Sequence, residues 1–399
     1  MHGDAVEGLS PQLPRLASPA QPLQRTVKGA AQRLLLLGGG HAHVHVLQAL
    51  ARAPLGGVET TLVTPYPRQI YSGMVPGWVA GHYAIEECAI ALQPLAAAAR
   101  VRLVDGAAVA LDAASRRVRL ADGSSTPYDL LSIDTGAVMA RDRLPGARDH
   151  GVFVRPIEDF ALRLESLTAA VAQGAAELVV IGGGAGGVEL ALALQHRFSM
   201  RRAALAPVRV TLVTGGSEPL AGYPSSVRRR IHRVLAGHGV VVVRTSCTAL
   251  EAGAVVLDNG LRLPSDAVVI ATGAEAPAWL VGSGLALDEH GFVLTGATLQ
   301  SRSHADVFAV GDVATRADHP HPKSGVHAVR AGPPLAANLR RWLQGAELRP
   351  HVPQRRTLAL ISCGERSAIA SWGGWAAEGR WVWRWKDRID RAFVAGLTE

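Results

Sequence analysis

Leu34-Leu35-Leu36-Leu37-Gly38-Gly39-Gly40-His41 and, further on, Leu178-Val179-Val180-Ile181-Gly182-Gly183-Gly184-Ala185 are two copies of one pattern. In each, a short apolar run leads into three glycines, and helix formers follow, from Val44 to Arg52 and from Val188 to Gln195. A glycine turn between strand and helix lets backbone N–H groups and a helix N-terminus hold a pyrophosphate. Two such turns imply two dinucleotides, and a flavin beside a nicotinamide is the commonest pairing.

The halves match again downstream. Val118-Arg119-Leu120-Ala121-Asp122-Gly123 corresponds to Val255-Val256-Leu257-Asp258-Asn259-Gly260, and Leu131-Ser132-Ile133-Asp134-Thr135-Gly136 to Val268-Val269-Ile270-Ala271-Thr272-Gly273. Each half reads as a two-residue Asp-Gly or Asn-Gly hairpin turn followed by a strand ending in Thr-Gly. Gly123 and Gly260 stand 137 residues apart, and so do Gly136 and Gly273. An equal offset at two separate signals argues for a duplicated fold. The expectation is an α/β protein with two Rossmann-like dinucleotide-binding domains and a small C-terminal α+β segment. Its divisions are a Pro- and Gln-rich disordered extension (1–32), a first dinucleotide domain (33–150), a second (151–276), the completion of the first (277–349) and the C-terminal segment (350–399).

The 399 residues suffice for two or three domains, and aromatics are scarce at 5% while glycine and alanine abound, as in Rossmann-type enzymes. No apolar run approaches the ~18–20 residues of a membrane span and no signal peptide is visible, so a cytoplasmic location is expected. The net charge of +8 comes from dispersed arginines, apart from Arg228-Arg229-Arg230 and the stretch from Arg380 to Arg391. With no basic groove interleaved with aromatics, nucleic acid is not an expected partner. Cys88, Cys247 and Cys363 form neither a Cys-x-x-Cys pair nor a disulfide framework, so electrons must leave the flavin by another route.

Gly38 and Gly40 would let the first turn approach the FAD pyrophosphate, but His43 stands where the fingerprint has its third glycine. Either the helix tilts or that imidazole points outward. A metal site at His41, His43 and His45 is not expected, because residues two apart do not share a helix face. The strands Thr61-Leu62-Val63 and Val210-Thr211-Leu212-Val213 end in Thr64 and Thr214 rather than in the usual ribose-binding carboxylate. NADH and NADPH are therefore not distinguished, and Arg228 to Arg230 read as a helix face. Gly311-Asp312 ends the strand Val307-Phe308-Ala309-Val310, placing Asp312 to accept a hydrogen bond from a ribityl hydroxyl.

Taken together, Gly38 to His41, Gly182-Gly183-Gly184-Ala185-Gly186-Gly187-Val188-Glu189, Ala271-Thr272-Gly273 and Val307 to Asp312 resemble the two-dinucleotide-binding-domain flavoproteins, in the branch of type II NADH dehydrogenases and sulfide:quinone reductases. Three further stretches are similar to the FAD-dependent oxidoreductase often fused ahead of selenide, water dikinase. They are Tyr71-Ser72-Gly73-Met74-Val75-Pro76-Gly77 with Ala80 to Tyr83, Lys323-Ser324-Gly325 to Arg330, and Trp383-Arg384-Trp385-Lys386-Asp387-Arg388-Ile389-Asp390-Arg391. The resemblance implies that Gly38, Gly40, His41, Thr135, Gly136, Gly311 and Asp312 bind FAD, with Tyr71, Ser72, Gly73 and Met74 under its ring. It implies NAD(P)H at Gly182, Gly184, Gly187, Thr272 and Gly273, Glu189 near the meeting of nicotinamide and flavin, and Lys323 aiming charge at the flavin's N1 and C2 carbonyl. The cysteines miss the positions sulfide chemistry requires.

The expected function is hydride transfer from NAD(P)H to FAD and electron transfer to a second acceptor, foremost a quinone. The alternatives are a flavin-binding regulatory or scaffold protein without turnover, and a redox role associated with selenium metabolism through the family's fusions alone. In the tail, Trp381, Trp383 and Trp385 alternate with period two and read as a strand with one aromatic face, covering the flavin domain or making a homodimer contact. The competing expectation is a peripheral contact of the Trp- and Arg-rich tail with the inner face of the membrane, where tryptophan beside basic residues suits the headgroup layer.

Overall fold

Ten strands carry the fold of the computed structural model, which describes residues 31–174, 177–200 and 207–398. All but the last two residues of the expected N-terminal extension lie outside that set. In chain order the strands are β1 (Gln32–Leu37), β2 (Val58–Thr64), β3 (Arg102–Asp105), β4 (Leu130–Ile133), β5 (Gly151–Phe153), β6 (Glu177–Ile181), β7 (Arg209–Val213), β8 (Val241–Val243), β9 (Ala267–Ile270) and β10 (Val307–Ala309). They build two five-stranded sheets, ordered β10-β4-β1-β2-β3 and β5-β9-β6-β7-β8, with every pairing parallel. The central strands are continuous apolar runs because a parallel sheet is covered on both faces. Leu34 to Leu37 and Leu178 to Ile181 are buried accordingly. β10 joins the first sheet beside β4, so that sheet closes only after the second is complete.

Each half also carries a three-stranded antiparallel meander, Ala108–Asp112, Arg117–Leu120 and Ser125–Pro127 in the first and Cys247–Glu251, Ala254–Leu257 and Arg262–Pro264 in the second. Even the register irregularity recurs, at Ala108/Ala110 and Cys247/Ala249. The hairpin loops differ from the expected two-residue turns. Leu120 N–H donates to Ser124 O and Leu257 N–H to Leu261 O, both at 2.9 Å, so each loop has three residues. Gly123 (φ +85°) and Gly260 (φ +81°) take its left-handed position, which a side chain resists.

Helices α1 (His41–Arg52) and α2 (Ala185–Met200) leave the two glycine turns, and α3 (Gly325–Leu343) packs on α1 where Gly332 leaves room for the His45 ring. A three-stranded sheet (Ala359–Ser362, Ala368–Trp372, Trp375–Gly379) then leads into α4 (Arg380–Thr398). The expected aromatic strand is thus corrected to a helix. Trp381 and Trp385, four apart, fall on its exposed side, while Trp383 is turned inward at 9% exposure. Among the described residues no helix is long and apolar enough to cross a membrane.

Candidate functional site

Both glycine turns sit at the carboxyl ends of central strands, where ligands of open α/β sheets collect. Gly38 has φ +92°, and a Cβ there or on Gly40 would lie about as close as 2.5 and 2.4 Å to Asp134. Asp134, which the sequence reading did not single out, accepts the Ala42 and His43 amides at the N-terminus of α1 (2.8 and 3.0 Å). Burial drives its carboxyl up to about 8 against the pull of those amides. Burial thus favours its protonated form, which sets less negative charge against a diphosphate.

His43 neither tilts the helix away nor points outward. Its fully buried ring bonds Gly38 O through Nδ1 (2.6 Å) and Ser132 Oγ through Nε2 (2.8 Å), stitching the turn to β4. Burial holds it neutral, down at about 4. His41 is likewise pushed to about 4 by burial, and its Nε2 is enclosed without a hydrogen-bond partner.

The second turn keeps the third glycine. A Cβ on Gly187 would meet Gly182 O at 2.0 Å, and one on Gly182 (φ +140°) would meet Ala271 O at 2.3 Å, whereas Gly184 faces open space. Thr135-Gly136 and Thr272-Gly273 follow β4 and β9, and Gly136 and Gly273 are also open on the Cβ side. Close packing below, space above and an unpartnered His41 nitrogen at a helix start fit two bound dinucleotides.

Glu189, in the first turns of α2, accepts Ser362 N–H at 2.8 Å. Burial raises its carboxyl to about 7, with Lys386 pulling down and Asp390 pushing up. Those two residues come from α4. Lys386 Nζ donates to Asp390 Oδ2 and to Gly73 O, each at 2.5 Å, and Asp390 also takes a hydrogen bond from Tyr71. Tyr71 packs on Phe393 (4.5 Å) and edge-on to His41 (5.6 Å), while Ser72–Met74 forms a single 3-10 turn with Met74 buried. Tyr83 completes the wall, donating to Asp387 at 2.7 Å and stacking on Trp383. The stretches around Tyr71, Tyr83 and Trp383 thus meet in space. In the sequence Lys386 and Asp390 are marked only by their i,i+4 spacing, which pairs them once the segment is a helix.

Gly311 lies against Asp134, and Asp312 is ion-paired with Arg155 (2.9 Å). Lys323 Nζ donates to Ala314 O (2.5 Å) and Thr315 Oγ1 (2.9 Å) and rests 3.8 Å from the Phe292 ring centroid. Burial lowers its ammonium to about 8 while Asp288 and Asp312 oppose. Its charge is therefore anchored to the strand after Asp312, in electrostatic reach of that carboxylate. Beyond Thr214 the next acid along the chain is Glu218, which pairs with Arg228 (3.0 Å) and Arg244 (3.5 Å). The three cysteines are free, and burial raises each thiol.

The family described as pyridine nucleotide-disulphide oxidoreductase matches residues 32–332. The demethylphylloquinone reductase NdbB of Synechocystis is 30% identical over 198 residues, covering 48% of this chain and 47% of that protein, so the chain spans about half its length. An NADH dehydrogenase-like protein of Mycobacterium tuberculosis is 29% identical over 304 residues, covering 72% and 74%. The sulfide:quinone oxidoreductase of Aquifex aeolicus superposes with a TM-score of 0.77 over 92% of both chains, and at 17% identity that likeness is one of fold.

Proposed function

Because the chain belongs to the pyridine nucleotide-disulphide oxidoreductase family, we propose that it is an FAD-dependent enzyme that oxidises NAD(P)H and reduces a quinone. Bound FAD supplies the hydride and electron chemistry. The observation that carries the reading is the link between the two cradles. Glu189, on the helix of the second, is in electrostatic contact with Lys386 and Asp390, which hold Gly73 and Tyr71 beside the first. A carboxyl poised near 7 suits a group that gives and regains a proton at working pH. The first cradle would hold FAD through Gly38, Gly40 and the amides of α1, and the second NAD(P)H through Gly182 and Gly184. Asp312 and Lys323 would lie toward the ribityl and ring ends. The division into a first domain of 33–150 and 277–349 around a second of 151–276 is supported by β10 pairing into the first sheet.

The same reading places the protein peripherally on a membrane. Trp381, Trp385 and Ile389 stand at 53%, 38% and 41% exposure on one stripe of α4, and the cross-strand pair Trp372 and Trp375 of the preceding hairpin is exposed as well. Arg380, Arg384 and Arg388 form the neighbouring exposed stripe, a combination that suits an anionic lipid interface. The test is steady-state turnover with NADH or NADPH and a water-soluble quinone. Quinone-dependent oxidation that Gly182→Val abolishes supports the proposal; FAD-loaded protein that oxidises neither nucleotide with any quinone removes it.

A further inference from the structure

On the other flank of α3, the strand Ala314–Arg316, the loop after it and His351 border a partly open cavity lined by Arg316, His321, His327 and His351, with Gly311 also in its wall. The Arg316 side chain is 5% exposed. Its Nε and Nη2 are taken by Asp318 (3.0 and 2.9 Å), Nη2 also by His351 O (3.0 Å), and Nη1 has no partner. A buried guanidinium nitrogen left without an acceptor is costly. His321 and His327 stack at 4.0 Å with 15° between their planes, and His319 Nδ1 is also enclosed without a partner.

The charges around these rings are of one sign. Burial lowers His327 to about 4, and His321, His351, His319 and Arg330 lower it further. His321 is lowered by burial and by Lys323 and Arg316, and His351 by burial, Arg316 and His321. The nearby carboxylates are engaged elsewhere, Asp318 on the far side of Arg316 and Asp288 and Asp312 facing Lys323. We propose that this cavity binds a small tetrahedral oxyanion of the sulfate and phosphate class, free or as the end of an organic phosphate, held by Arg316 Nη1 and the rings of His321, His327 and His351. The anion would supply the missing acceptor and relieve the repulsion, so ring protonation and binding favour each other.

Equilibrium dialysis of the full-length protein against labelled sulfate tests this, since sulfate keeps its charge from pH 8 to pH 6. The expected result is a site that excess FAD and NADH do not displace, tightening by up to about tenfold per pH unit while a ring takes up a proton. Arg316→Gln should weaken it at least about tenfold, the loss of a charge-assisted bond. Competition by glycerol phosphate marks a site open to organic phosphates, and its failure one confined to free ions. Should Arg316→Gln not fold, His327→Gln and the ring proton resonances of His321 and His327 in the wild type decide. Sulfate must shift those resonances. Binding that dinucleotides displace, that ignores pH or that survives both substitutions overturns the proposal, as does the absence of binding at millimolar sulfate.

Discussion

Asp134 shows how one buried carboxyl can close a phosphate turn without opposing a phosphate. Its pKa rises from an ordinary 3.8 to about 8 on folding, so the folded chain binds that proton more tightly than the unfolded chain. The stability it contributes is complete below about pH 4 and is lost as pH rises toward 8. Asp134→Asn keeps an oxygen for the Ala42 and His43 amides and removes the titration. Its melting temperature is expected to exceed that of wild type by several degrees at pH 8.5 and to converge with it near pH 4, with FAD content unchanged. An unchanged gap across that range would show that Asp134 is ionised at the turn. Glu189 carries the other proton. With its carboxyl near 7, it is a donor below neutrality, so acceptor reduction should fall as pH rises through about 7. Glu189→Gln should erase that limb and slow the step by about a hundredfold, the usual worth of a positioned proton donor. Stopped-flow traces that match wild type in both half-reactions would reduce Glu189 to a helix N-terminal carboxylate.

Helix α4 closes the site, and the pair that fixes it is the buried Lys386–Asp390 contact, with side chains 9% and 6% exposed. Removing one partner strands the other charge, so Lys386→Met or Asp390→Leu alone should each cost about 3–5 kcal/mol in chemical denaturation. The double variant should recover most of that loss. Additive losses would mean that the two residues act separately. This element was the least legible in the sequence. Trp381, Trp383 and Trp385 alternate, which suggests a strand, yet the pattern that matters is Trp381, Trp385 and Ile389 outside with Val382, Lys386 and Asp390 inside. Two charged residues on a buried face break the apolar periodicity by which a helix is recognised. His43 was opaque for a related reason, since its partner Ser132 lies 89 residues away on a neighbouring strand.

At the scale of the whole molecule the duplication was readable, because strand, glycine turn, hairpin glycine and Thr-Gly recur in order, and local signals of that kind survive without knowledge of packing. What the repeat could not convey is how α4 joins the cradles, since that contact belongs to neither copy. The outer face of the same helix makes the membrane a further test. Wild type should sediment with anionic vesicles at low salt and be released at high salt, as screening weakens the arginine contribution. Trp381→Ser with Trp385→Ser should stay in solution, and a wild type that binds vesicles at no salt concentration would leave this face to another partner. The central claim, two dinucleotides serving one redox site, is tested most directly by the flavin spectrum of the purified protein under anaerobic addition of NADH or NADPH. The account predicts a yellow protein whose flavin band bleaches with one nucleotide or both and returns on addition of quinone. An FAD-loaded protein whose spectrum neither nucleotide changes would contradict it and leave a flavin-binding protein without turnover.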